Sequence, residues 1–134
     1  MKVQAHLKQV RISTRKVRLV ADAVRSLPLE QAVTQLPLVR KRAAMLLHDV
    51  MQSAIANAIN NSHLQRENLR IADIVVNDGP ALKRFHASTR GRIHPYKKRS
   101  TNITVILEEK AVKAVVAKAK EDKPAVKAEK KGAK

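Results

Sequence analysis

The chain has no cysteine and no tryptophan, and only one phenylalanine, one tyrosine and three glycines. Without cysteine there are no disulfides and no thiolate metal sites. Gly79, Gly91 and Gly132 stand far apart, so no glycine loop that could cradle a phosphate exists. Phe85 and Tyr96 are too few for the aromatic platform on which single-strand readers stack bases. Recognition by phosphate and shape is therefore expected over base reading. The longest apolar run, Ala43 to Leu47, is far too short to span a bilayer. The opening MKVQAHLKQV has no apolar signal core, and a soluble intracellular protein with no membrane partner is the expectation. Finally, no acidic residue stands between Asp78 and Glu108.

Catalytic constellations are also missing. The five histidines are scattered, and His48-Asp49 has no serine or cysteine beside it to activate. His86 and His94 are spaced to face one another across a hairpin, but two imidazoles without carboxylate or thiolate support make a poor metal site. They read better as hydrogen-bond donors to phosphate or base edges. No enzyme, metal or cofactor is expected.

What is present is positive charge. Lysine and arginine number 28 against 11 acidic residues, a net charge of +17. Residues 1–109 hold 19 basic and 8 acidic residues, and residues 110–134 hold 9 and 3, so the basicity is not only a tail effect. Such a balance makes nucleic acid the default partner. The acid-free stretch carries Lys83, Arg84, Arg90, Arg92, Lys97, Lys98 and Arg99. It is entered by Ile74-Val75-Val76, left by Ile103-Thr104-Val105-Ile106-Leu107, and has Gly91 near its midpoint. Two strands about a central turn make a hairpin, here about residues 79–102. Its arms have few side chains able to form a core, and an isolated ribbon is marginal in water. It is expected to project on the order of 30 Å and to become ordered inside a phosphate-rich partner.

Elsewhere the apolar pattern specifies a small α+β domain over residues 1–109. Val3, Ala5 and Leu7 alternate with polar residues as a strand with one wet face. Ser13 stands at an N-cap position before Val17, Val20, Val24 and Leu27, an amphipathic helix. Arg15, Lys16 and Arg18 load its first turns against the helix dipole, a local cost expected where function sets the residue. Pro28 and Pro37 bracket a short helix, Leu29 to Leu36, burying Leu29, Val33 and Leu36. A long helix follows from about Val39 to Asn60, with Ala44, Leu47, Val50, Met51, Ala54, Ile55 and Ala58 as its apolar stripe. Lys41 and Arg42 stand near its start, and Met45 and Met51 read as core filler. Ser53, Ala54, Ala56 and Ala58 are small enough to admit a neighbouring helix or an RNA backbone. Leu69 to Asp78 is a strand whose alternation shifts phase at Ala72-Asp73, the mark of a bulge. Residues 110–134 are almost entirely Ala, Lys, Val and Glu, a low-complexity basic tail expected to be disordered or transiently helical.

Several segments together closely resemble one family. Val10-Arg11-Ile12-Ser13-Thr14-Arg15-Lys16-Val17-Arg18-Leu19-Val20, Ser53-Ala54-Ile55-Ala56-Asn57-Ala58, Asp78-Gly79-Pro80-Ala81-Leu82-Lys83-Arg84, Gly91-Arg92 and Lys98-Arg99-Ser100-Thr101-Asn102-Ile103-Thr104-Val105 follow, in order and spacing, large-subunit ribosomal protein number 22 of bacteria. The resemblance spans residues 3–109. It implies three helices packed on a three-stranded antiparallel sheet, with a long protruding β-hairpin threading through ribosomal RNA. It further implies a structural role in the large subunit, early assembly, and a hairpin tip lining the peptide exit tunnel near the macrolide site. The implied partners are large-subunit ribosomal RNA, neighbouring ribosomal proteins including number 4, and the nascent polypeptide, in a cytoplasmic ribosome. Residues expected at RNA are Arg11, Ser13, Arg15, Lys16, Arg18, Lys41, Arg42, Lys83, Arg84, Arg90, Arg92, Lys97, Lys98 and Arg99. Ser88, Thr89, Arg90, Gly91 and Arg92 are expected to line the tunnel.

The chain departs from the family pattern at two places. Ala87-Ser88-Thr89 replaces the usual Pro-Arg-Ala before the tip, and Thr14 replaces the usual proline after the serine. A different class, a basic architectural DNA-binding protein, is suggested by the Lys/Ala tail and by basic arms suited to a minor groove. Pro95-Tyr96 is its only candidate wedge.

Overall fold

The computed structural model describes residues 1–110. Five strands and three α-helices follow one another as β1 (Lys2–Val10), α1 (Thr14–Arg25), α2 (Leu29–Gln35), α3 (Arg42–Ser62), β2 (Leu69–Asp78), β3 (Leu82–Ala87), β4 (Ile93–Lys98) and β5 (Thr101–Glu109). Strands β1, β5 and β2 form an antiparallel sheet in that order. The last strand is therefore the central one, and its alternation sends Ile103, Val105 and Leu107 to the core at 1%, 0% and 0% exposure. The helices pack on that sheet, α3 against β1 and β5, and α1 against β2. Fold class and layer order are those expected, and the tail lies outside the described residues.

Each helix follows from its stripe. Val17, Val20, Ala21 and Val24 are buried on α1, and Ala44, Leu47, Val50, Met51, Ala54, Ile55 and Ala58 on α3. Fully burying a side chain the size of Leu47 or Met51 contributes about 1.5–3 kcal/mol, so these stripes fix the helix orientations. The bulge expected near Ala72-Asp73 is present, where the pairing with β5 skips between Ile71 and Asp73.

The details differ at four points. Pro37 and its neighbours form a 3₁₀ turn, Leu36–Leu38, and the backbone is extended at Val39 and Lys41, so α3 begins at Arg42 rather than near Val39. Ala32, not Val33, is the fully buried middle residue of α2, and Leu27 packs on the core from beyond the end of α1. Met45 is 67% exposed while Met51 is fully buried, because Met45 lies off the stripe on α3. The hairpin is a separate two-stranded sheet, not a continuation of β2 and β5.

That separation is made at Gly79. Its N–H donates to the Ser100 carbonyl at 2.9 Å, and the Ser100 hydroxyl donates to the Pro80 carbonyl at 2.5 Å. A Cβ on Gly79 would stand 2.6 Å from the Ser100 Oγ and 3.2 Å from its carbonyl carbon. Beyond this pinch β3 and β4 pair from Leu82↔Lys98 to Ala87↔Ile93, within the span expected for the hairpin. All twelve ladder residues are exposed, in accord with the absence of a core. At about 3.3 Å per residue the ladder alone is roughly 20 Å long. Ser88 N–H donates to the Arg92 carbonyl at 2.9 Å, and Arg90 and Gly91 both turn through positive φ, +57° and +70°.

Candidate nucleic-acid interface

Three segments distant in sequence meet at the root of the hairpin. The β1–α1 connection and the start of α1 supply Arg11, Ser13 and Lys16. The approach to α3 supplies Arg40, Lys41 and Arg42, and the end of β4 supplies Tyr96, Lys97, Lys98 and Arg99. Together they line an open cleft of about 740 Å³, whose remaining lining is Ile12, Leu19 and Ala43. Eight cationic side chains line it and no carboxylate does.

Its electrostatics come from the backbone as well as the side chains. Ser13 and Lys41 are the N-caps of α1 and α3, neither makes a side-chain cap hydrogen bond, and neither helix has an acidic residue in its first turn. Both helix N-termini therefore open onto the cleft with first-turn amides that lack side-chain acceptors, the polarity that suits an anion. An anion there offsets the repulsion that Arg15 and Lys16 add to the start of α1.

Ion pairs are segregated away from this face. Among the described residues, the carboxylates pair Arg25 with Asp22 and Asp73, Arg66 with Glu30, Arg70 with Glu108, and His48 with Asp49. Glu30 accepts from Arg66 at 2.8 and 3.1 Å, and that hydrogen bond, with the charge attraction, raises the guanidinium pKa. None of the cations in the cleft or on the hairpin has a carboxylate partner among the described residues.

Of the fourteen residues expected at RNA, the cleft gathers Arg11, Ser13, Lys16, Lys41, Arg42, Lys97, Lys98 and Arg99. Lys83 and Arg84 stand exposed on the outgoing arm of the hairpin. Arg90 and Arg92 stand at the tip with Ser88, Thr89 and Gly91, all exposed. Arg15 is exposed on α1, outside the cleft. Arg18 turns to β2, where Nε and Nη2 donate to the Val76 carbonyl at 3.2 and 3.0 Å, so part of its donor fork serves the fold. Arg40 belongs to the cleft and was missed, because in sequence it stands outside both the helix pattern and the hairpin. Its adjacency to Lys41-Arg42 was the available signal.

Strand pairing also gives the hairpin two different faces. Direct opposition places Arg84 with Tyr96 and His86 with His94 on one face, and Lys83 with Lys97, Phe85 with Pro95 and Ala87 with Ile93 on the other. The two histidines thus face one another as expected. Among the described residues, no group of three or more His, Cys, Asp or Glu could hold a metal. No described helix is long and apolar enough to cross a membrane.

The model of one protein family, described as ribosomal protein L22p/L17e, matches residues 5–108. The chain belongs to the ribosomal protein L22p/L17e family. Membership makes it a structural constituent of the large ribosomal subunit and a component of translation, with ribosomal RNA and other ribosomal proteins as its classes of partner. The family's role is structural rather than enzymatic. The match runs from Ala5 within β1 to Glu108 within β5, including the cleft and the whole hairpin, and lends no support to a chromosomal architectural role.

Proposed function

We propose that the carboxylate-free cleft and the hairpin it adjoins are the surface through which this family member binds large-subunit ribosomal RNA. The carrying observation is convergence: eight cations from three chain segments, and two open helix N-termini, meet where the hairpin leaves the body. Charge without carboxylate neighbours is costly to gather unless an anion sits among it. In this reading Arg11, Ser13, Arg15, Lys16, Lys41, Arg42, Lys97, Lys98 and Arg99 seat phosphates at the root. Lys83 and Arg84 grip the ribbon's flank, and Arg18 contributes whatever donor capacity Val76 leaves.

The hairpin carries the second part of the proposal. Its arms have no core to hold them, so RNA packed on both faces supplies the order. The tip, Ser88 to Arg92, then lines the exit tunnel, beside ribosomal protein number 4 and the nascent polypeptide, in a ribosome of bacterial type. Residues 1–109 act as the RNA-binding domain, assembling early, with 110–134 as an accessory basic segment.

Titration of the full chain with deproteinised large-subunit ribosomal RNA tests this. If about six to ten phosphates are neutralised, affinity falls by roughly three to five decades between 50 and 200 mM salt, taking the DNA slope as an upper guide. A nearly flat salt dependence would rule out the phosphate seat.

A further inference from the structure

Part of the cleft lining is apolar, the Leu19 side chain and the ring of Tyr96, whose hydroxyl alone can donate to a phosphate. Tyr96, from the hairpin, is 50% exposed, and Leu19, from α1, is 67% exposed, and both line the cleft. Leu19 lies off the buried stripe of α1 and Tyr96 lies on a strand with no core, so neither serves the fold. An apolar wall desolvates an anion without returning a hydrogen bond.

A nucleotide has both halves of the matching chemistry, a flat apolar base and an anionic link on each side. The volume, about 740 Å³, lies within the roughly 300–1,000 Å³ usual for sites that enclose a small ligand. We propose that the cleft receives one unpaired nucleotide of the RNA, its base against the Tyr96 ring and Leu19 and its flanking phosphates on Arg40–Arg42 and Lys97–Arg99. This rests on the RNA-binding reading above and adds a requirement that phosphate contacts cannot impose. A base locked in a duplex presents no free face, so the cleft selects a place where a base is extruded. Every base has a π face, so selection is for the extruded state rather than for base identity. The scarcity of aromatics argued against stacking in general; the structure puts one of the only two aromatic rings at the one place where it is flanked by cations on three chain segments. An acidic peptide fits less well, because its carboxylates come without a flat face to cover the Tyr96 ring and Leu19.

Two substitutions in the full chain separate the ring from the strand. Tyr96→Val keeps β-propensity and removes the stack, while Tyr96→Phe keeps the stack. With deproteinised large-subunit ribosomal RNA as the probe, Tyr96→Val weakens binding about tenfold or more and Tyr96→Phe by no more than about twofold. The slope of affinity against salt stays the same in both, because no cation is removed. Base-specific chemical probing shows one unpaired base protected by the unaltered chain and by Tyr96→Phe, and open with Tyr96→Val. The single tyrosine, in a chain without tryptophan, gives a direct optical signal, and its emission is quenched when RNA binds. Unchanged affinity and unchanged base protection with Tyr96→Val would overturn the cleft proposal and leave RNA binding intact. Failure of the unaltered chain to bind RNA in a salt-dependent way would overturn the RNA-binding reading itself. Displacement of the RNA by poly-glutamate at equal charge would assign the cleft to an acidic protein partner and also overturn the proposal.

Discussion

Gly79 and Ser100 face each other so closely that a Cβ on Gly79 would stand 2.6 Å from the Ser100 Oγ. The contact closes the root of the hairpin, since the Gly79 N–H holds the Ser100 carbonyl and the Ser100 hydroxyl holds the Pro80 carbonyl. A methyl at Gly79 must displace that hydroxyl and then push on backbone atoms at 3.2 and 3.3 Å. Gly79→Ala is expected to cost about 1–3 kcal/mol, as overpacking usually does. Ser100→Ala removes the nearest obstacle, so the two changes should be less than additive in a double-mutant cycle read by thermal melting. Strict additivity would show that the backbone contacts, not the hydroxyl, set the cost.

A second tie joins the hairpin root to α1. The Thr14 hydroxyl donates to the Asp78 carboxylate, and the Thr101 hydroxyl donates to the Ile12 carbonyl at 2.6 Å. Each hydroxyl has one proton, so the 3.2 Å approach of the two threonine oxygens is a contact left over after both protons are committed. Thr14→Val keeps the shape and is expected to lose about 1–2 kcal/mol of stability in denaturant unfolding. An unchanged midpoint would show that water serves Asp78 equally well.

Helix α3 ends at His63, whose φ is +51°, with the Leu64 N–H returned to the Ala58 carbonyl at 3.1 Å. A left-handed residue closing a helix favours glycine. His63→Gly is expected to stabilise the protein by roughly 0.5–1 kcal/mol. A fall in melting temperature would mean that the histidine ring makes contacts outweighing its backbone strain.

These elements show what the sequence could disclose. The stripes of α1 and α3, the Ala72 bulge and the hairpin were legible because each rests on a local period or its interruption. The Gln9 bend was not. Gln9 takes φ +58° where the pairing of β1 with β5 slips between Leu7 and Val10, and its N–H donates to the Asn102 side chain at 2.9 Å. That bond depends on a residue 93 positions away, so no local signal announces it. The same reason hid the cleft. Arg11, Lys41 and Lys98 were each recognisable as candidate RNA contacts, but their meeting around Tyr96 and Leu19, with Arg40 among them, is a product of tertiary packing. Arg18 shows the converse, a cation expected at RNA whose guanidinium also holds the Val76 carbonyl, a fold contact no local signal announced.

The globular body is expected to fold without the ribbon. Every fully buried side chain lies outside residues 83–99, and all of that segment is exposed. Replacing it with a short glycine-containing turn should preserve a single cooperative transition in calorimetry. Loss of that transition would reveal that the hairpin stabilises the sheet through its root.

Finally, the ribbon should divide its work between stem and tip. Lys98 and Arg99 line the cleft and Lys83 and Arg84 flank the opposite arm, so replacing these four with alanine removes charge where the ribbon would first meet RNA. Incorporation into the large subunit should fall steeply, because each lost phosphate contact weakens binding and lowers its salt slope by about one. Arg90 and Arg92 flank a turn already fixed by the Ser88–Arg92 hydrogen bond and by positive φ at Arg90 and Gly91. If the tip lines the tunnel as proposed, replacing those two should leave incorporation nearly unchanged and instead alter macrolide sensitivity, since a charge at the end of a roughly 20 Å ladder would change the tunnel more than it anchors the body. Subunit occupancy and macrolide inhibition measured on both sets decide the matter: equal loss of occupancy, with antibiotic response unaltered by the tip changes, would refute the division.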